Sequence, residues 1–239
     1  MTEPTSLRLA KRLAEQIPCS RQAAEQYIAG GWVTVDGQVI EEPGYRIEPQ
    51  QQIVLLPKAS LAPLTDVTLL WHKPAGVSAD FLQHHLTLDT MAAGDRSGLR
   101  FLKRHSSNLT LTNTLETDAS GLVVFSQDWK ITRKLIDDAT KIEQEFLVEV
   151  SGELVENGLA LLNHGLRFNG RELAPIKVSW QNETRLRFAI KGVQLHQIAH
   201  MCEQVGLQIV SMKRLRIGRI PLAALPSGQW RYLLGYERF

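Results

Sequence analysis

Asn113–Thr114–Leu115–Glu116–Thr117–Asp118–Ala119–Ser120–Gly121–Leu122–Val123–Val124–Phe125–Ser126 is a polar loop with two carboxylates, Glu116 and Asp118, that passes through Gly121 into an apolar run. A short β-branched and aromatic run bounded by turn residues reads as a buried strand. The carboxylates therefore stand on a loop braced by core, and loops held by rigid elements are where binding and catalytic groups concentrate. The competing reading is an ordinary solvated turn, because charged loop residues are mostly just exposed.

Composition bounds what such a loop can serve. The 239 residues suffice for one large domain or for a small domain plus a medium one. With 44% hydrophobic and 22% charged residues the chain is globular rather than disordered. No apolar run approaches the roughly 18 residues of a membrane span. Met1–Thr2–Glu3–Pro4–Thr5 lacks the basic-then-apolar order of a signal peptide, so a cytoplasmic location is expected. Cys19 and Cys202 lie far apart without a C-x-x-C spacing and read as packing residues, not as zinc ligands or a disulfide. A net charge of +2 does not by itself announce a nucleic-acid partner. Its distribution is more informative, with Arg8, Lys11 and Arg12 at helical spacing, Arg21 opening the next element, and the run Lys213–Arg214–Leu215–Arg216–Ile217–Gly218–Arg219. These are either phosphate-contacting patches or solvated faces.

Leu9, Ala10, Leu13, Ala14 and Ile17 recur at intervals of three and four, which predicts an amphipathic helix stopped by Pro18. Ser20 suits the N-cap of a second helix that closes at Gly30–Gly31. Trp32 to Val39 then reads as a hairpin about Asp36–Gly37, and Gln52–Leu56 as a further strand. This αα-β order, with Cys19–Ser20–Arg21, Ala24, Ile28, Gly31, Val33, Val35, Asp36 and Gly37, resembles the S4 RNA-binding domain. The resemblance implies contact with structured RNA through Arg8, Lys11, Arg12, Ser20, Arg21 and Gln22. Residues 1–58 form this module and 59–66, with little periodicity and a proline, a linker.

Residues 67–239 resemble the catalytic domain of S4-containing ribosomal RNA pseudouridine synthases of the RsuA/RluF type. His72–Lys73–Pro74–Ala75–Gly76–Val77 stands for the family's N-K-P-x-G-[VI]. Leu115, Asp118, Gly121 and Leu122 match its G-R-L-D-x-D-[TS]-x-G-L loop, where Asn113, Thr114 and Glu116 replace Gly, Arg and the catalytic Asp. Gln144 to Val150 stands for K-E-Y-L-V-E-V with Phe146 in place of Tyr. Lys191 to Met201 matches the last motif at His196, Gln197, Ile198 and Met201, is one residue longer, and has Ala199 at the basic position.

The resemblance implies an α+β chain, a small S4-like module followed by a domain on a mixed, mainly antiparallel sheet. It implies isomerisation of uridine to pseudouridine in ribosomal RNA, with no cofactor and no metal. Glu116, Phe146 and Gln197 take the catalytic positions, and Lys73, Lys213, Arg214 and Arg216 the RNA-contacting ones. Glu116 carries its charge one methylene further than aspartate, about 1 Å where roughly 0.5 Å is the working tolerance. Two functions stay open. One is an active synthase using Glu116, or Asp118, with His196 or His200 supplying the missing cation. The other is a catalytically silent RNA-binding or ribosome-assembly factor. No role is assigned to His84, His85 or His105, which read as loop surface.

Overall fold

The computed structural model describes residues 6–239, so Met1–Thr5, and the reading of the N-terminus made on them, lie outside the described residues. The chain divides into two compact units. The first runs through Thr65 and also takes in Arg100–His105, and the second comprises Asp66–Leu99 and Ser106–Phe239.

In the first unit the helices Leu9–Gln16 and Arg21–Ala29 follow the predicted periodicity. Arg8 is not helical, because it sits in the short strand Leu7–Arg8 paired with Arg46–Ile47. Val33–Val35 and Gln38–Ile40 form the expected hairpin, with Asp36 at φ 50° and Gly37 at φ 83°. Two successive positive φ values give the turn a twist that matches its strands. Ile53–Leu55 completes a three-stranded sheet, and Leu9, Leu13, Ala24, Ile28, Val33 and Ile53 share one core. Sequence reading had no place for Arg100–His105 here. Arg100 lies over the Trp32 ring at 5.2 Å, and the Lys103 amide donates to Glu41 Oε2 at 2.8 Å. His105, expected at the surface, is buried, and burial pulls its pKa down to about 4.

The second unit is built on a nine-stranded sheet. Its main path runs Lys177–Trp180, Arg185–Lys191, Glu143–Gly152, Leu207–Ile217, Ser120–Ser126, Thr68–Lys73, Trp230–Tyr232. Every strand pairing is antiparallel except that of Leu207–Ile217 with Ser120–Ser126. The opening stretch thus supplies a central strand, buried from Gly121 to Ser126. Parallel neighbours need a crossover, and the helix Trp129–Ile136 and the strand Glu143–Gly152 lie within this one. The helix Gln197–Gln204 carries Cys202 into the core, where burial raises the thiol pKa to about 12.

Candidate functional site

The loop that bears Glu116 and Asp118 rests on two buried cations. Lys73 is fully buried, and its Nζ donates to the carbonyls of Pro74 at 3.0 Å, Val77 at 2.7 Å and Thr117 at 2.8 Å. The Gly76 amide meets the same Thr117 carbonyl at 2.8 Å, so the Lys73–Gly76 turn and the carboxylate loop are tied at one atom. Arg214, 1% exposed, donates from Nε to Leu122 O at 2.6 Å and from Nη2 to Asn113 O at 3.0 Å. Its Nη1 donates to Thr114 O at 3.0 Å and to Gln144 Oε1 at 3.2 Å.

Neutral acceptors satisfy the geometry of these cations but not their charge. Burial pulls the Arg214 pKa down to about 9 against the opposing field of Glu116. Burial and then the Arg214 charge bring Lys73 down to about 8, opposed by Asp118 and Glu116. The carboxylates are therefore the counter-charges of the buried pair, acting through space.

Lys73 makes the fold pH-dependent. In the unfolded chain it keeps its proton to about 10.5 and in the folded protein loses it near 8, so between these values the unfolded state binds more protons. Stability relative to a Lys73→Met variant is expected to be flat below about pH 8. It should then rise toward pH 10.5 at up to about 1.4 kcal/mol per pH unit. Urea denaturation of both proteins across this range checks the slope.

Glu116 is half-buried, and its Oε1 accepts the His196 amide at 2.8 Å. His196, at φ 64°, is the residue from which the helix Gln197–Gln204 starts. A carboxylate is favoured there by the unpaired first-turn amides and the helix dipole. Glu116, Ser78, Asp80, Leu195 and His196 border an open cleft of about 380 Å³. On its other side Glu116 shares with Phe146 a space of only about 20 Å³, closed by Val193, Leu195 and Ile198. That is room for a water rather than for a nucleobase. Phe146 is itself 2% exposed, with the Arg214 guanidinium 5.9 Å from its ring centre.

The structure thus unites Glu116 and Phe146 and separates other expected site residues from them. Gln197 is buried, and its Oε1 accepts the Gln194 amide at 3.1 Å while its Nε2 approaches the Met201 sulfur at 4.0 Å. It serves its own helix turn and lines neither space. His200 Nε2 lies 3.0 Å from the Arg167 carbonyl, with its ring beside Phe168. Lys73 and Arg214 are corrected from RNA contacts to internal props, since neither charge reaches the surface. Arg216 is half-buried and spends its guanidinium on Glu143 at 2.6 Å and Glu145 at 3.1 Å. Lys213 is half-buried, and its ammonium makes no hydrogen bond or ion pair among the described residues.

The helix-starting amide of His196 had no sequence signal. Arg214 did have one, because strand alternation puts it on the same inward face as Met212.

In the first unit Arg8, Lys11 and Gln22 are exposed and Arg12 is half-buried. Arg21 pairs with Glu25 at 3.1 Å. The Ser20 hydroxyl accepts the Ala23 amide at 3.1 Å, a capping role. Ser20→Ala is expected to lower stability by about 1 kcal/mol, read by urea denaturation.

This sheet, with its carboxylate loop and helix start, is the fold of a pseudouridine synthase. A crystal structure of pseudouridylate synthase superposes with a TM-score of 0.57 at 21% identity, covering 95% of this chain and 96% of that one. Residues 7–53 match the S4 domain. The dual-specificity RNA pseudouridine synthase RluF of Escherichia coli (strain K12) is 25% identical over 99% of this chain and 79% of its own. Ribosomal large subunit pseudouridine synthase B of Bacillus subtilis (strain 168) is 26% identical over 96% and 93%. Over nearly its whole length the chain is thus similar to RNA pseudouridine synthases, and it carries an S4 domain at residues 7–53.

Proposed function

We propose that this protein binds ribosomal RNA in the cytoplasm, through its first unit, and that its synthase cleft is catalytically silent. The reaction of the family breaks the bond from the ribose to the uracil nitrogen, turns the base and rejoins it through carbon. The base must first leave its stack and enter a pocket beside an aromatic ring. One observation carries the proposal: Glu116 is engaged by the His196 amide, and the space between it and Phe146 is about 20 Å³. Phe146 also lacks the hydroxyl of the tyrosine it replaces, so stacking is its only contribution. The RNA-binding half is supported by the S4 match and by exposed Arg8 and Lys11.

A second reading, slow synthesis by Glu116, has one observation in its favour, the fixed Arg214 charge under the loop. Pseudouridine mapping by mass spectrometry on total RNA decides between them, using cells with the gene, without it, and with Glu116→Ala. The expected result is an identical map in all three, with crosslinking recovering ribosomal RNA. A uridine modified only with intact Glu116 would establish the synthase.

A further inference from the structure

Between Ala92–Arg96 and the C-terminal segment Leu222–Glu237 lies a cleft of about 660 Å³, larger than the one at Glu116 and used by nothing above. Its floor is apolar, with Ala92, Leu222 and Leu225 all buried. Arg231 and Glu237 on its wall close on each other in two parallel contacts, at 2.7 and 2.8 Å, and cancel in charge. Three other side chains face the cleft with no hydrogen bond, ion pair or ring contact among the described residues. They are the guanidinium of Arg96, the amide of Gln229 and the ring of Tyr236, which is 78% exposed. The wall at Ala223 is held at φ 49°, a conformation costly for a residue with a Cβ.

An apolar floor, a free aromatic ring, an amide able both to donate and to accept, and one uncompensated positive charge match one nucleotide. The ring offers a stacking face for the base, the amide a partner for its edge, and the guanidinium a fork for one phosphate. An acidic peptide would satisfy Arg96 and leave the ring and the amide unused. The cleft also joins the catalytic unit directly: the Gln229 carbonyl accepts the His72 amide at 3.0 Å, one residue before Lys73.

We propose that this cleft binds one unpaired nucleotide of an RNA strand, with its base on Tyr236, its edge at Gln229 and its phosphate at Arg96. The strand as the source rests on the RNA-binding reading above. The test uses the full chain, with fluorescence anisotropy on a labelled single-stranded oligouridylate and calorimetry with uridine monophosphate. Tyr236→Ala and Arg96→Ala are each expected to weaken the oligonucleotide about tenfold, and Tyr236→Phe to keep its affinity. The melting temperature should hardly move, since both side chains are exposed and make no hydrogen bond or ion pair among the described residues. A 4-thiouridine oligonucleotide is expected to crosslink at Tyr236.

Wild-type affinity retained in both alanine variants would overturn the site and leave RNA binding standing. Monophosphate binding that Tyr236→Ala abolishes, with the oligonucleotide unaffected, would overturn the strand in favour of a free nucleotide. A wild-type protein that binds neither probe overturns the site, while the RNA-binding reading stands or falls separately on the crosslinking to ribosomal RNA.

Discussion

Gly121→Ala is expected to prevent folding, at a cost above about 4 kcal/mol. Gly121 sits at φ 118°, and a Cβ there would stand 2.3 Å from the Arg214 carbonyl oxygen and 2.5 Å from its amide nitrogen. Both obstacles are backbone, and neither can give way. Gly121 pairs with Lys73 on one side and Arg214 on the other, so any shift breaks a ladder in the middle of the sheet. Only a residue without a Cβ lets the two parallel strands approach here. The measurement is soluble yield and, where protein is recovered, urea denaturation. Gly44→Ala is the control. A Cβ there meets nothing within 4 Å, so stability should hold or rise by about 0.4–1 kcal/mol. Equal stability of the two variants would refute the account.

Arg214→Met is expected to cost about 4 kcal/mol by urea denaturation. The guanidinium serves four acceptors, Leu122 O, Thr114 O, Gln144 Oε1 and Asn113 O, in a space closed to solvent. Truncation removes every donor at once and leaves the acceptors desolvated. Methionine fills much of the volume but can satisfy none of them. Arg214→Lys should recover only part of the loss, because an ammonium cannot reproduce the fork that spans both ends of this set. A cost below about 1 kcal/mol for Arg214→Met would mean that the loop carbonyls find other donors.

Much of this was legible in the chain itself. Hydrophobic spacing gave both helices of the first unit, the Asp36–Gly37 turn gave its hairpin, and the apolar run after Gly121 gave the central strand. Lys73 and Arg214 were misread for a physical reason. Basic residues are almost always solvated, so a one-dimensional reading assigns them to a partner, and only three-dimensional closure reveals carbonyls gathered around them. Gln197 was placed by motif alone, and the direction of its side chain depends on where its helix begins, which no motif encodes. That the recess beside Phe146 is filled by Val193, Leu195 and Ile198 depends on how the chain after Lys191 packs, which periodicity does not encode.

The return of Arg100–His105 to the first unit bears on the order in which the protein comes into being. The Trp32 ring and Glu41 are translated early, yet the arginine over that ring and the amide that meets that carboxylate are made later. At roughly 5–20 residues per second, the ribosome needs about 2–8 s after Thr65 to reach His105. For that interval the nascent N-terminal unit exposes an unfinished aromatic surface. A fragment ending at Thr65 would be left permanently in that state, so it is expected to be less stable than the same residues in the whole chain.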